Sequence, residues 1–262
     1  MKRVLVLAGT AEARALCALL ASMPGVEATA SLAGATSEPA TYPVPVVTGG
    51  FGGAEGLAAW LIAHGIGALI DATHPFATTM RRNAALAAEL ATVPSLRLER
   101  APWTEGEGDC WTRHSSLDAL LRALPAGARV FAALGTRAAV RLGDRPDIAF
   151  LLRAIEAPAV IPANVRILHA RAALDAAAEA ILLEREGITH LAARDSGGEA
   201  GRAKLLAART LGLPVHLVAR PADPGRIPCR ATAQEAADWV ARSLTLSDHP
   251  IAQPSFSRSA KR

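Results

Sequence analysis

The chain has 262 residues, 51% hydrophobic and 20% charged, which is room for one large α/β domain or two smaller ones with a real core. Its formal net charge is +4, and only Lys2, Lys204 and Lys261 of the 28 basic residues are lysines. The basic residues are spread along the chain. That excludes the clustered face of a nucleic-acid binder and fits both a small anionic ligand held by guanidinium forks and an Arg-favouring codon bias. Cys17, Cys110 and Cys229 are odd in number and far apart, with neither a CxxC pair nor zinc-ligand spacing. Reduced thiols in a cytoplasmic protein are expected, with no metal. No apolar run approaches the ~20 residues of a membrane span, and the N-terminal apolar core is too short for a secretory signal.

Strand-type and helix-type segments alternate from the first residue. Val4 to Ala8 is a continuous apolar run, the pattern of a strand buried on both faces. Ala11 to Ala21 reads as a helix closed by Pro24-Gly25. Glu27 to Leu32 and Val44 to Val47 read as strands, Ala54 to His64 as a helix ended by Gly65, and Ala68 to Asp71 as a strand. Pro75 suits the first position of a helix from Phe76 to Ala91. After Pro125-Ala126-Gly127, strands are expected at Val130 to Leu134, His190 to Arg194 and Val215 to Ala219. Helices are expected at Ala172 to Glu186, Glu199 to Leu211 and Ala233 to Leu244. The fold class is therefore α/β: two Rossmann-like halves with mainly parallel sheets and a ligand cleft between them. Residues 1–115 form the expected dinucleotide-binding domain and 116–244 a second α/β domain contributing to the cleft. The tail 245–262, with Pro, Ser and three basic residues, is expected to be disordered.

Five segments carry candidate chemistry. In Val4 to Arg14 a buried strand feeds Gly9-Thr10-Ala11-Glu12, where a helix start offers free amides to a phosphate. This is not a complete GxGxxG, and a plain strand-turn-helix accounts for it equally well. The end of the second strand, Ser31-Leu32-Ala33-Gly34-Ala35-Thr36-Ser37, lacks the carboxylate that holds a ribose 2′-hydroxyl in NAD-selective sites, which favours NADPH. Val47 to Leu57 places five glycines in eight positions. Glycine loses more backbone freedom on folding than any other residue, so this density points to ligand contact through Gly50 and Gly53, with Phe51 covering a flat ring. In Leu69 to Ala77 a strand delivers Asp71, Thr73 and His74 to its carboxyl end, with Arg81, Arg82 and Asn83 close behind. In Leu191 to Val215, Arg194-Asp195-Ser196-Gly197-Gly198 forms a second polar turn, followed by Lys204.

Together these segments resemble the precorrin-6A reductase family. The resemblance is carried by Ala8 to Arg14 (AGTAEAR), Gly49 to Leu57 (GGFGGAEGL), Ile70 to Ala77 (IDATHPFA), Leu96 to Trp103 (LRLERAPW) and Arg194 to Val215, in family order. Ala8 stands where glycine is usual, Arg194 and Asp195 where Lys and Asn are common, and Ala35 where arginine is frequent. Residues 130–171 match poorly, Gly135-Thr136-Arg137 included.

The resemblance implies NADPH in the interdomain cleft and reduction of a macrocycle double bond of precorrin-6A to give precorrin-6B in cobalamin biosynthesis. Transient contact with neighbouring pathway enzymes is part of that picture; nucleic acid and membrane are not. The nicotinamide carries the hydride, so the protein has to bind, orient and exclude water. Cofactor residues are expected to be Gly9, Thr10, Ala11, Glu12, Ser31, Leu32, Ala33, Gly34, Thr36, Gly50, Phe51, Gly53 and Thr73. Substrate carboxylates are expected to meet His74, Arg81, Asn83, Arg194, Ser196, Gly197 and Lys204, with His74 and Asp195 as catalytic candidates. The rivals are a reductase of the cobalt-bearing analogue, a nucleotide-sugar or S-adenosylmethionine transferase, and a non-catalytic tetrapyrrole carrier.

Overall fold

A computed structural model describes residues 1–34, 41–171, 175–222 and 227–246. The first half runs β1 (Lys2–Leu7), α1 (Ala11–Ala21), β2 (Val26–Leu32), β3 (Val46–Thr48), α2 (Gly53–Ala63), β4 (Ile66–Asp71), α3 (Thr78–Ala91) and β5 (Ser95–Leu98). The second runs β6 (Trp111–His114), α4 (Leu117–Ala123), β7 (Arg129–Ala133), a 3-10 turn at Thr136–Ala138 leading into α5 (Ala139–Leu142), β8 (Ala149–Ala154), β9 (Val165–His169), α6 (Ala176–Arg185), β10 (His190–Arg194), a 3-10 turn at Glu199–Gly201, α7 (Ala203–Thr210) and β11 (Val215–Val218). The chain then returns with β12 (Cys229–Arg230) and α8 (Ala233–Leu246).

Two six-stranded sheets result, ordered β12-β5-β4-β1-β2-β3 and β6-β11-β10-β7-β8-β9, with parallel pairing throughout. Read from β3, the first sheet has the 3-2-1-4-5 order of dinucleotide-binding folds, with β12 in sixth place. Read from β9, the second repeats that order around β7, with β6 on its far edge. Each sheet therefore has a switch point, at β1/β4 and at β7/β10, where flanking connections leave in opposite directions and open a crevice.

Side-chain alternation along β1 builds both faces of the first sheet. Val4 and Val6 join Leu16, Leu20, Ala236, Ala237, Val240 and Leu244 on one side. Leu5 and Leu7 join Leu57, Leu61, Ala84 and Ala88 on the other. In the second half Val130 and Ala132 face α4 and α5, while Phe131 faces α6 and α7.

Two boundaries differ from the sequence reading. Trp111–His114, expected within 1–115, pairs with β11 of the second sheet. Ala233–Leu246, expected within 116–244, packs on α1, and Cys229 pairs with Arg97 on β5. The chain thus crosses between halves twice, and each sheet takes its sixth strand from a crossing segment. The third helix also starts later than expected, at Thr78 instead of Phe76. The cause is a turn: the Ala77 amide donates to the His74 carbonyl at 2.8 Å and the Phe76 amide to His74 Nδ1 at 3.2 Å. The segment 130–171 holds two strands, β8 and β9, that periodicity alone did not single out. The tail beyond residue 246 lies outside the described residues.

Candidate functional site

The first switch point is assembled from the ends of β1, β2 and β4. Leu7 pairs with Ser31 on one side and Asp71 on the other, so the three strand ends are level. Gly9 has φ +128, and a side chain there would meet open space. Thr10 caps α1: its Oγ1 accepts from the Ala13 amide at 3.1 Å and donates to the Ala72 carbonyl at 2.9 Å. The Thr10 hydroxyl is therefore committed within the protein. What the turn can offer a phosphate is backbone, since the amides of Ala11 and Glu12 lie in the first turn of α1, which has no intrahelical acceptor for them. The Gly49 amide donates to the Leu32 carbonyl at 2.9 Å, which draws the glycine-rich loop beside the end of β2. Gly50 and Gly53 likewise border open space. Ser31 is buried and Ala33 and Gly34 are exposed, with no carboxylate at 31–34; Thr36 lies outside the described residues. Phe51 sits within the glycine-rich loop. It is half-buried and packs edge-on against Trp60, with ring centroids 5.6 Å apart, on the α2 core.

The linker after β5 clasps the two halves. Arg100 Nη1 donates to Glu12 at 2.6 Å, while its Nε donates to the carbonyls of Ser196 at 2.8 Å and Gly197 at 2.9 Å. Arg220 Nη1 donates to Glu99 at 2.8 Å and to the Arg100 carbonyl at 2.8 Å; its Nε donates to the Asp195 carbonyl at 2.9 Å. Trp103 donates from its indole to the Gly198 carbonyl at 2.8 Å. A Cβ on Gly197 would overlap the Ala101 carbonyl oxygen, and one on Gly198 would stand 2.9 Å from Arg100 Nε. These glycines thus serve close packing between halves. The Glu12 carboxylate, expected at the cofactor, is the first-half end of this clasp.

Several residues expected at the substrate are committed elsewhere. The Asp195, Ser196 and Gly197 carbonyls of the Asp195–Gly198 turn accept from Arg100 and Arg220, and that of Gly198 from Trp103. Asp195 is buried; its Oδ1 accepts from the Trp103 amide at 3.1 Å and its Oδ2 from Arg113 at 3.3 Å. Arg81 is buried and donates to Glu99 at 2.5 Å and to the Pro75 carbonyl at 3.0 Å. Lys204 is also buried, with Nζ on the Gly201 carbonyl at 2.5 Å and 4.7 Å from the centre of the Trp103 ring. Burial lowers its pKa to about 8. Asn83 is half-buried in α3. Thr73 is half-buried and its hydroxyl donates to Asp71 at 2.6 Å.

Two expected residues do share the cleft. His74, after β4, is half-buried with Phe76 beside it, and the Phe76 ring lies 5.5 Å from the Arg194 guanidinium carbon across the interface. Burial, then the charges of Arg100, Arg194 and Arg220, push the His74 pKa down to about 4. Its Nδ1 accepts from the Phe76 amide, so the neutral ring carries its proton on Nε2. Sequence reasoning missed Glu99, Arg100, Trp103 and Arg220 as interface residues. The LRLERAPW block was the available signal for the first three.

A Rossmann-ordered sheet with an open glycine-lined switch point defines an α/β protein of the Rossmann-like class. The model of the precorrin-6x reductase CbiJ/CobK family matches residues 3–241. Precorrin-6A reductase of Rhodobacter capsulatus is 44% identical over 245 residues, 92% of this chain and 96% of the relative. That of Rhodococcus erythropolis is 41% identical, covering 94% and 99%. A solved CobK precorrin-6A reductase superposes with a TM-score of 0.88 at 42% identity, over 93% of this chain and 97% of that one. The chain belongs to the precorrin-6x reductase family. It is a reductase of the class that uses a nicotinamide cofactor and a tetrapyrrole substrate.

Proposed function

We propose that this chain reduces one carbon–carbon double bond of precorrin-6A to give precorrin-6B, with NADPH as the reductant, in the cytoplasm. The observation that carries the cofactor choice is the end of β2, where Ala33 and Gly34 are exposed and residues 31–34 carry no carboxylate. A 2′-phosphate meets no repulsion there, whereas a ribose 2′-hydroxyl lacks its usual acceptor. The cofactor, when bound, supplies the hydride; the second hydrogen arrives as a proton. The chain's own part is to receive the pyrophosphate on the amides of Ala11 and Glu12, to pass the Gly49 to Gly53 backbone close by, and to hold a polycarboxylate macrocycle over His74. Neutral His74 can donate a hydrogen bond from Nε2 without adding charge to an already cationic cleft. Cys17, buried, and Cys110, exposed, are both thiols, which suits a reducing compartment.

The metal-free substrate is favoured over its cobalt-bearing analogue by the extent of similarity. The cobalt-precorrin-6A reductase of Priestia megaterium is 37% identical over 37% of this chain, against near-complete coverage by the metal-free enzymes. The test is anaerobic turnover of precorrin-6A with NADPH and with NADH, alongside Ala33→Asp. Ala33 is exposed, so the new carboxylate leaves the fold alone. NADPH should give the higher kcat/KM, and Ala33→Asp should lose that preference by about tenfold or more. Equal kcat/KM for the two cofactors in the wild type refutes the cofactor assignment.

A further inference from the structure

We propose that Arg137 and Arg194 form a two-guanidinium clamp at the switch point of the second sheet, taking one carboxylate arm of the substrate. The inference rests on the polycarboxylate reading above and adds a receptor that this reading does not specify.

The argument begins with topology. The second sheet repeats the strand order of the first, so the ends of β7 and β10 flank a crevice equivalent to that between β1 and β4. The first crevice is bordered by Gly9, the start of α1 and Asp71, with the carboxylates of Glu12 and Asp71 already paired to Arg100 and Arg97. The second is bordered by Gly135-Thr136-Arg137 after β7 and by Arg194 at the end of β10. Like positions in the two halves therefore carry different chemistry.

The arginines of this cleft divide sharply by partner. Arg81 and Arg220 pair with Glu99, Arg97 with Asp71, Arg100 with Glu12, and Arg113 with Asp195. Arg194 and Arg137 have no carboxylate among the described residues, although Arg194 is half-buried. A half-buried guanidinium without an anion is costly unless a ligand supplies one. Arg137 lies in the turn that opens at Gly135, which Arg194 abuts, and its charge, after burial, disfavours the charged form of Arg194.

The Arg194 side chain is also held in place before any ligand arrives. One contact is the Phe76 ring of the first half, 5.5 Å from its guanidinium carbon. Another is the Gly135 turn, where a Cβ would stand 3.3 Å from Arg194 Nη1. Gly135 has φ +79, a region that an L side chain rarely adopts, so glycine serves both the turn and the approach. A fixed fork and a second, exposed guanidinium match the two oxygens of one carboxylate. Because Phe76 adjoins His74, the clamp would set the macrocycle's register against the first half.

The experiment uses the full chain with Arg137→Ala, Arg137→Glu, Arg194→Gln and Arg194→Lys. KM for precorrin-6A and direct NADPH titration are the paired readouts. Arg137 is exposed, so its variants should melt with the wild type. Removing one charge-assisted contact should raise the precorrin-6A KM about tenfold, and Arg137→Glu should raise it further, with NADPH affinity within about twofold of wild type. Arg194→Lys should recover part of the loss seen in Arg194→Gln. A wild type that turns over precorrin-6A while every variant keeps its KM within twofold overturns the clamp and leaves the proposed function standing. Loss of NADPH affinity in place of a KM change assigns the pair to the cofactor and overturns it as well. A wild type inert toward precorrin-6A overturns both readings.

Discussion

Replacing Gly50 by valine, beside Gly56 by alanine, separates ligand contact from packing in the glycine-rich loop. Gly50 is outside the left-handed region and a side chain there meets nothing within 4 Å, so the protein itself has no objection to one. Gly56 is different: a Cβ would overlap the Phe51 carbonyl oxygen and stand 2.8 Å from its carbon. That obstacle is backbone at the entrance to α2, whose Leu57 and Leu61 are fully buried, and it cannot swing aside. Gly56→Ala should therefore cost on the order of 1–3 kcal/mol as overpacking. At about 2–4 °C per kcal/mol for a chain of this size, melting should fall by roughly 2–12 °C. Gly50→Val should change stability by less than about 0.5 kcal/mol. If dinucleotide backbone contact uses that open space, its Kd for NADPH should rise about tenfold or more, equivalent to ~1.4 kcal/mol. Scanning calorimetry and a fluorescence titration of NADPH on both variants provide the check. A Gly50→Val protein with wild-type NADPH affinity would refute ligand contact at this loop and return it to turn packing.

Acidification should destabilise the fold between about pH 6.5 and pH 4. His74 and His216 are both depressed to about 4, so the unfolded chain binds more protons in that window and stability is lost as pH falls, by up to about 1.4 kcal/mol per pH unit for each group. Urea denaturation at several pH values should show this slope, and His216→Gln should flatten it; an unchanged slope removes His216 as a contributor. Lys204→Met keeps the stem over Trp103 and removes a buried charge, so stability at pH 7 should stay within about 1 kcal/mol and the precorrin-6A KM within about threefold. A hundredfold rise in KM would place Lys204 at the substrate after all. Glu99→Ala leaves Arg81 and Arg220 without their shared carboxylate and should cost about 3–5 kcal/mol. Calorimetry should also show whether the halves then melt separately, and a loss below 1 kcal/mol would mean the network contributes little.

Much of the local structure was legible in the sequence because its causes are local. Alternating apolar runs mark β1 and β4 as buried parallel strands, and His190–Arg194 and Ala11–Ala21 appear with the bounds that periodicity and capping predict. The ordered motifs, GGFGG and DATHPFA above all, were enough to indicate the family. Partnership was not legible. Periodicity shows that Ala236, Val240 and Leu244 share one helix face, but not that this face covers α1 in the other half. Charge and rarity made Lys204, beside the polar turn at Ser196 to Gly198, look like an anion receptor. Only the folded chain shows the ammonium sealed against Trp103 and the turn's carbonyls directed toward Arg100 and Arg220. The reason is that burial and pairing of a charged group depend on residues about a hundred positions away, as Arg100 and Ser196 do. Local pattern constrains backbone conformation, whereas tertiary contact determines which arginines are already neutralised and which still face the cleft without an anion.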